Sequence, residues 1–136
     1  MATLVAFHAH PDDECISTGG SLARAAAEGH RVVLVLATNG DFGEVPHDLA
    51  AGESLVDRRR QEVLRSAEIL GVHRVEWLGY KDSGMTGWEQ NDDPESFHRA
   101  DLDEAAVRLA MILCEEQADV PVDERPRPGD ALDPRG

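Results

Sequence analysis

Four side chains that bind metals or transfer protons stand almost together near the start of the chain: His10, Asp12, Asp13 and Glu14. Zinc accepts imidazole nitrogen and carboxylate oxygen, and a catalytic zinc site keeps one coordination position open for water. In one arrangement His10 and Asp13 hold the metal, while Asp12 stays free to take a proton from the water. Such a water attacks an amide or ester carbonyl. Capping of the next helix is the alternative role, but it does not require all four residues so close together.

The residues around this motif predict a loop at the end of a β-strand. The apolar run over residues 4–7 precedes the motif, and a stretch of small residues ending in Gly19 and Gly20 follows it. Strand, loop and helix in this order place the motif at the carboxyl end of a strand. Parallel α/β sheets bind their ligands at that edge.

The rest of the chain alternates predicted strands and helices. We predict strands over residues 3–7, 31–37 and 74–78, helices over 20–28, 54–70 and 101–117, and the start of a fourth strand at 118–120. This alternation predicts an α/β fold, a Rossmann-like three-layer sandwich with a mainly parallel sheet. We expect it to be truncated after the start of the fourth strand. No G-x-G-x-x-G follows the first strand, which argues against a dinucleotide site.

Two loops are expected at the same sheet edge as the motif, because each follows a predicted strand. They cover residues 38–44 and 79–97, and the second is long for a connection. Long loops at this edge usually bind ligands or cover a site.

The remaining histidines leave the third metal ligand open. His8 would point to the same side as His10 if the strand includes it, although a packed, hydrogen-bonded role is more common for such a residue. His47 and His98 lie in loops that could approach the site. His30 and His73 precede strands, and we expect them at the opposite sheet edge.

Composition restricts the partners and the compartment. The chain has 136 residues and a formal net charge of −14, which argues against nucleic acid and anionic membranes as partners. We expect one domain, no signal peptide and no membrane span. Two cysteines are too few for a disulfide framework, so we expect reduced thiols and a cytoplasmic protein.

The segment Ala9-His10-Pro11-Asp12-Asp13-Glu14 resembles the signature of the PIG-L/LmbE-like zinc-dependent N-deacetylases, which remove acetyl groups from N-acetylglucosaminyl substrates. Residues 59–62 and 67–72 are similar to the second helix of that family. Residues 82–85 are similar to a segment of its actinobacterial members that act on mycothiol precursors or conjugates. The resemblance implies a Zn²⁺ cofactor and a small N-acetyl sugar as substrate.

The same resemblance implies roles for seven residues. His10 and Asp13 would be the zinc ligands, and Asp12 would be the catalytic base. Four residues would line the sugar pocket: Ser17, Arg59, Asp82 and Met85. An ordinary structural role remains open for these four: Arg59 could pair with a surface acid, and Met85 could simply pack.

The resemblance covers about residues 3–120, and members of the family are about twice as long as this chain. Their later half carries a third zinc-binding His, and a Tyr and another His that stabilise the oxyanion. We therefore expect residues 1–120 to form the N-terminal part of a deacetylase domain and residues 121–136 to form a Pro-rich, disordered tail. An exposed sheet edge would then permit self-association.

Three functions are open at this point. The first is a zinc-dependent hydrolase that removes an acetyl group from an N-acetylglucosaminyl-type substrate. The second is a catalytically silent fragment that binds metal weakly, because two protein ligands are fewer than the usual three. The third is a metal-dependent phosphoesterase. The sequence shows only one carboxylate cluster, which argues against this third function.

Overall fold

The structure is a computed structural model that describes residues 1–11, 13–39, 47–49, 51–81 and 89–123. Its four strands are β1 (Thr3–His8), β2 (Arg31–Thr38), β3 (Arg74–Tyr80) and β4 (Val120–Val122). Its three α-helices are α1 (Asp13–Ala27), α2 (Leu55–Leu70) and α3 (Leu102–Glu116), and short 3₁₀ helices cover Glu89–Asp92 and Phe97–Arg99. The strand order is β3-β2-β1-β4, and all four pair in parallel.

Successive strand residues face two different cores, one on each side of the sheet. Ala6, Leu34 and Leu36 pack with Leu22 of α1 and Val63 of α2. Val5, Val33 and Val35 face the other side, where the covering side chains of α3 are Ala105, Leu109, Ile112 and Leu113. Helices therefore lie on both faces of a parallel sheet, which confirms the predicted three-layer α/β sandwich.

The register of the central strands fixes where the motif lies. β1 and β2 pair over their whole shared length, from Thr3 opposite Arg31 to His8 opposite Leu36. The end of β2 also meets the end of β3, where Thr38 pairs with Tyr80. The residues that follow β1, β2 and β3 therefore leave the sheet at the same side, where the carboxyl ends of the strands lie.

The first helix was predicted too short. It begins at Asp13 rather than at residue 20, so Asp13 belongs to the helix and not to the preceding loop. Ser, Thr and two glycines have low intrinsic helix propensity, which hid this first part of α1. Packing of α1 against the sheet outweighs that preference. The ends of β1, β2 and β3 also extend slightly beyond the predicted residues.

The ends of the later helices follow their local sequence. Ser54 caps α2 by accepting a hydrogen bond from the backbone N–H of Asp57 at 3.1 Å, and Asp101 caps α3 by accepting one from Glu104 at 2.9 Å. Gly71 ends α2 with a φ of 83°, in the left-handed region that glycine adopts without steric cost.

β4 shows that the sheet continues past the predicted boundary at residue 120. Val120, Pro121 and Val122 pair with Leu4, Val5 and Ala6. β4 is an edge strand of the described sheet, and edge strands tolerate proline because one side of the strand needs no ladder hydrogen bond. The tail beyond residue 123 lies outside the described residues.

Large apolar side chains on α3 and β4 are exposed, in keeping with the expected open edge. They are Leu102, Val107, Met111 and Val120. Self-association through this edge remains a prediction. Across the described ranges, no helix is long and apolar enough to cross a membrane.

A cluster of charged residues links α3 to the amino-terminal ends of β2 and β3, away from the motif loop. Glu116 at the end of α3 accepts hydrogen bonds from Arg31 at 2.7 Å and from Arg74 at 2.8 Å, linking α3 to the first residues of β2 and β3. The hydrogen bonds from Arg31 and Arg74 lower the pKa of Glu116 from 4.5 to about 2. The ionised form of Glu116 is therefore favoured more strongly over the protonated form in the folded chain than in the unfolded chain.

Acid should remove this contribution of Glu116 over a defined range. Because its folded pKa lies below the unfolded value of 4.5, its stabilising effect is complete above that pH and is lost as the pH falls toward about 2. We expect Glu116→Gln to lower the free energy of unfolding at pH 7 and to flatten its decline over this range, measured by urea unfolding. Glu115→Gln is the control, because Glu115 is mostly exposed and contacts only Arg74 in this cluster. Equal effects of the two substitutions would contradict the assignment.

A second stability prediction concerns the end of α2. A Cβ at Gly71 would lie 2.8 Å from the Cβ of Ala26, so an added methyl group clashes with α1 as well as straining the backbone. Gly52 has a similar φ of 80° but open space around it. We expect Gly71→Ala to lower the free energy of unfolding by about 1 kcal/mol or more beyond the loss caused by Gly52→Ala, measured by chemical denaturation. Equal losses would show that backbone strain alone acts at Gly71.

Candidate metal centre

The motif loop is fixed to the sheet through the carbonyl of Ala9. This oxygen accepts a hydrogen bond from the backbone N–H of Thr38 at 3.0 Å and another from the Thr38 hydroxyl at 2.9 Å. Thr38 is the last residue of β2 and is fully buried. The position of His10, the next residue along the loop, is therefore set by the end of the neighbouring strand.

His10 and Asp13, the two predicted metal ligands, lie against each other across a tight turn. The backbone N–H of His10 donates to Oδ2 of Asp13 at 3.0 Å, and the backbone N–H of Asp13 donates to the His10 carbonyl at 3.3 Å. Nδ1 of His10 lies 3.5 Å from Oδ2 of Asp13. Both side chains keep solvent access, with 46% of His10 and 29% of Asp13 exposed. A ligand from solvent can therefore reach both donor atoms.

The spacing of these two donor atoms fits one zinc ion. Ligand distances of about 2.0–2.2 Å and a tetrahedral angle put two ligand atoms about 3.4 Å apart. The separation of 3.5 Å between Nδ1 and Oδ2 matches that edge of the tetrahedron. Imidazole nitrogen and carboxylate oxygen are also the right chemical types. Within the described ranges no group of three such donors converges, so a metal at this position would take only part of its coordination sphere from this pair.

The electrostatics at Asp13 favour its charged form. Partial burial raises the pKa of this carboxyl. Hydrogen bonds from the His10 ring and backbone lower it, and so do charge interactions with His10 and His8. The lowering effects outweigh burial, so the pKa is lowered from the ordinary value of 3.8. A carboxylate must be ionised to bind a metal. Asp13 is therefore in its ligating form at neutral pH.

His8 has the packed, hydrogen-bonded environment expected of a strand histidine. It is buried at the end of β1, and its Nε2 lies 3.1 Å from the hydroxyl of Thr18 on α1. This contact joins β1 to the helix that carries Asp13. His30 and His73 lie at the opposite sheet edge, as predicted, where each accepts a backbone hydrogen bond through Nδ1.

The other predicted site residues are only partly described. Ser17 is exposed on α1, one turn after Asp13 and so on the same helix face. Arg59 is half-buried on α2. Asp12, Asp82 and Met85 lie outside the described residues. Of the possible third ligands, His47 is exposed, and the side chain of His98 is also outside the description.

Sequence reasoning missed a pocket beside the motif loop. It encloses about 180 Å³ between α2 and the ends of β2 and β3, and its lining includes Thr38, Asn39, Val56, Arg60 and Trp77. The guanidinium carbon of Arg60 lies 4.6 Å from the centre of the Trp77 ring. Thr38 and Asn39 begin a loop already expected at this edge, but no sequence pattern connects them with Arg60 and Trp77.

Comparison with known families identifies the domain. The family model described as PIG-L, GlcNAc-PI de-N-acetylase, matches residues 5–122. The chain belongs to the PIG-L family. This match covers the described sheet, from within β1 to the end of β4, and includes the motif loop.

A curated relative of this PIG-L chain is the 1D-myo-inositol 2-acetamido-2-deoxy-alpha-D-glucopyranoside deacetylase of Thermobifida fusca. It is 45% identical over 127 residues, which cover 86% of this chain and 44% of the relative. The chain thus spans less than half the length of the curated relatives it matches first.

Solved structures show the same fold with more than one chemistry. The N,N'-diacetylchitobiose deacetylase of Pyrococcus horikoshii has a TM-score of 0.67 and 29% identity, covering 88% of this chain and 39% of its own. GalB, a 4-carboxy-2-hydroxymuconate hydratase of Pseudomonas putida, has a TM-score of 0.65 and 27% identity, covering 96% of this chain and 51% of its own. The reaction must therefore be argued from the site and not from the fold alone.

The contact between Thr38 and Ala9 can be tested directly. We expect Thr38→Val, which keeps the shape but removes the hydroxyl, to lower the free energy of unfolding by about 1 kcal/mol. We also expect faster hydrogen exchange at the amides of His10 and Asp13, because the loop loses one attachment to β2. Thr3→Val at the opposite edge of the sheet is the control. Unchanged exchange at both amides in Thr38→Val would contradict this role.

Proposed function

We propose that this chain carries the metal-binding and base-bearing part of a zinc-dependent N-deacetylase, a hydrolase of the acetyl amide in an N-acetylglucosaminyl-type substrate. The observation that carries the proposal is the 3.5 Å separation of Nδ1 of His10 and Oδ2 of Asp13 at the carboxyl edge of a parallel sheet. The names of the Thermobifida and Pyrococcus relatives, both deacetylases of amino-sugar compounds, support the reaction and the substrate class.

In this proposal His10 and Asp13 hold the zinc ion. A bound metal would lower the pKa of water and would polarise the substrate carbonyl. The carboxylate of Asp13 needs no prior deprotonation at neutral pH, because the hydrogen bonds from His10 lower the pKa of this carboxyl from its ordinary acidic value. Both side chains keep solvent access, so water can reach the proposed metal position.

Asp12 is the proposed general base, because it is the remaining carboxylate between the two proposed ligands in sequence. It would accept a proton from the water as the oxygen attacks the acetyl carbon. It would then return that proton to the amine nitrogen as the C–N bond breaks. The second proton of the water is lost when the new acetic acid ionises, and the released amine takes it up. The products are therefore acetate and the protonated amino sugar, so that protons and bonds balance.

Ser17, Arg59, Asp82 and Met85 are the proposed sugar-binding residues. The position of Ser17 on the Asp13 face of α1 supports its part in this set. Arg59 lies on α2, which packs against α1, and its guanidinium fork suits paired hydrogen bonds to substrate hydroxyls. The net charge of −14 supports a neutral small-molecule substrate rather than nucleic acid or an anionic membrane. The two cysteines, both free thiols, support a cytoplasmic compartment.

Zinc calorimetry tests the metal site. We expect one zinc ion per chain, and we expect His10→Ala and Asp13→Ala each to weaken binding by about tenfold or more, because each removes one of few protein ligands. The matched controls are His30→Ala, at the opposite edge of the sheet, and Asp103→Ala, on α3. Binding that both site variants leave unchanged would contradict the assignment of these ligands.

Acetate release from N-acetylglucosaminyl compounds tests the reaction separately. We expect Asp12→Asn to retain zinc binding and to lose at least about a hundredfold in rate, because the base contributes to proton transfer and not to metal affinity. Specific zinc binding without acetate release by the unsubstituted chain would overturn the hydrolase assignment. It would favour the alternative of a metal-binding domain without catalytic activity.

A further inference from the structure

We propose that the pocket formed by Arg60 and Trp77, referred to here as the α2–β3 pocket, binds the second ring of the substrate, the ring joined to the N-acetylated sugar. That ring would be neutral, six-membered and rich in hydroxyl groups. The inference rests on the proposed function and adds a specificity-determining residue, Arg60, which neither the motif nor the comparisons assign.

The pocket is directly connected to the candidate metal centre. Thr38 lines the pocket, and it also donates two hydrogen bonds to the carbonyl of Ala9, the residue before His10. One residue therefore forms part of the pocket and fixes the metal loop. For a substrate whose acetyl group lies at His10 and Asp13, this pocket is a cavity available beside Thr38, the residue that fixes the metal loop.

Arg60 has a different environment from Arg58 and Arg65 on the same helix. Arg58 forms ion pairs with Asp48 and Glu53, and Arg65 forms one with Glu68. Within the described part of the chain, Arg60 has no carboxylate partner and instead covers the Trp77 ring at 4.6 Å. The ring attracts the guanidinium and holds it at the pocket that both residues line, where its N–H groups remain available.

The chemistry of these groups selects the ligand. A flat guanidinium presents parallel N–H donors, which match two oxygen acceptors side by side. Carboxylates, phosphates and neighbouring hydroxyl groups all provide such acceptors. The net charge of −14 repels an approaching anion, which favours the neutral hydroxyl pair. A volume of about 180 Å³ accommodates a single ring, and Val56 offers an apolar contact for its carbon face.

Fluorescence of Trp77 tests the pocket independently of catalysis. The chain contains two tryptophans, so a Trp88→Phe background leaves Trp77 as the only reporter. The probes are 1D-myo-inositol 2-acetamido-2-deoxy-alpha-D-glucopyranoside, which has a second ring, and methyl 2-acetamido-2-deoxy-alpha-D-glucopyranoside, which has none. We expect a saturable change with the two-ring compound and an affinity about tenfold higher than that of the methyl glycoside, as one charge-assisted hydrogen-bond pair would give.

Arg60→Ala should remove this preference for two rings, whereas Arg65→Ala, on the same helix, should retain it. Circular dichroism and thermal unfolding verify that each variant is folded. An unchanged preference in folded Arg60→Ala would overturn the inference, and so would saturable binding of inorganic phosphate that is tighter than that of the two-ring compound.

Acetate release measured in parallel separates this inference from the proposed function. If the methyl glycoside is hydrolysed but the second ring gives no advantage, the pocket assignment fails and the deacetylase proposal stands. If Trp77 responds to the second ring in an Arg60-dependent way but no acetate appears, the pocket stands and the deacetylase proposal fails.

Discussion

The parallel pairing of β1 with β2 is the interaction on which the remaining structure depends. Its strand residues supply both cores, so the helices on each face pack against side chains that this pairing aligns. The same register places Thr38 beside Ala9, where two hydrogen bonds fix the motif loop. The edge that holds His10 is thus a direct consequence of how two buried strands align.

The opposite edges of the sheet carry different kinds of electrostatics. At the amino-terminal edge Glu116 is matched by Arg31 and Arg74, which makes a stabilising contact between α3 and two strands. At the carboxyl edge His10 and Asp13 are near each other but accessible, and Arg60 lies over the Trp77 ring, with no carboxylate partner among the described residues. The charges at the amino-terminal edge are paired and stabilise the fold, whereas the charges at the carboxyl edge remain accessible to a ligand.

The functional argument depends on local chemistry because the fold is shared. Relatives with TM-scores of 0.67 and 0.65 include a deacetylase and a hydratase. The proposed amide hydrolysis rests on the pair of zinc-type donors, and the proposed two-ring substrate rests on the pocket beside Thr38. These are separate features, and each can fail without the other.

The sequence by itself determined the order of strands and helices, the parallel sheet, and the short motif that brings His10 and Asp13 together. The elements and the motif depend on residues close in the chain, so hydrophobic periodicity is enough to predict them. The parallel sheet was predicted from the alternation of strands and helices, which favours parallel pairing. The start of α1 at Asp13 was not predicted, because packing against the sheet outweighs the low helix propensity of Gly19 and Gly20. Only the tertiary structure decided that Arg60 covers Trp77 and that Thr38 lies beside Ala9. Those contacts join residues from separate elements, and their distances follow from strand register and helix packing, which local sequence does not specify.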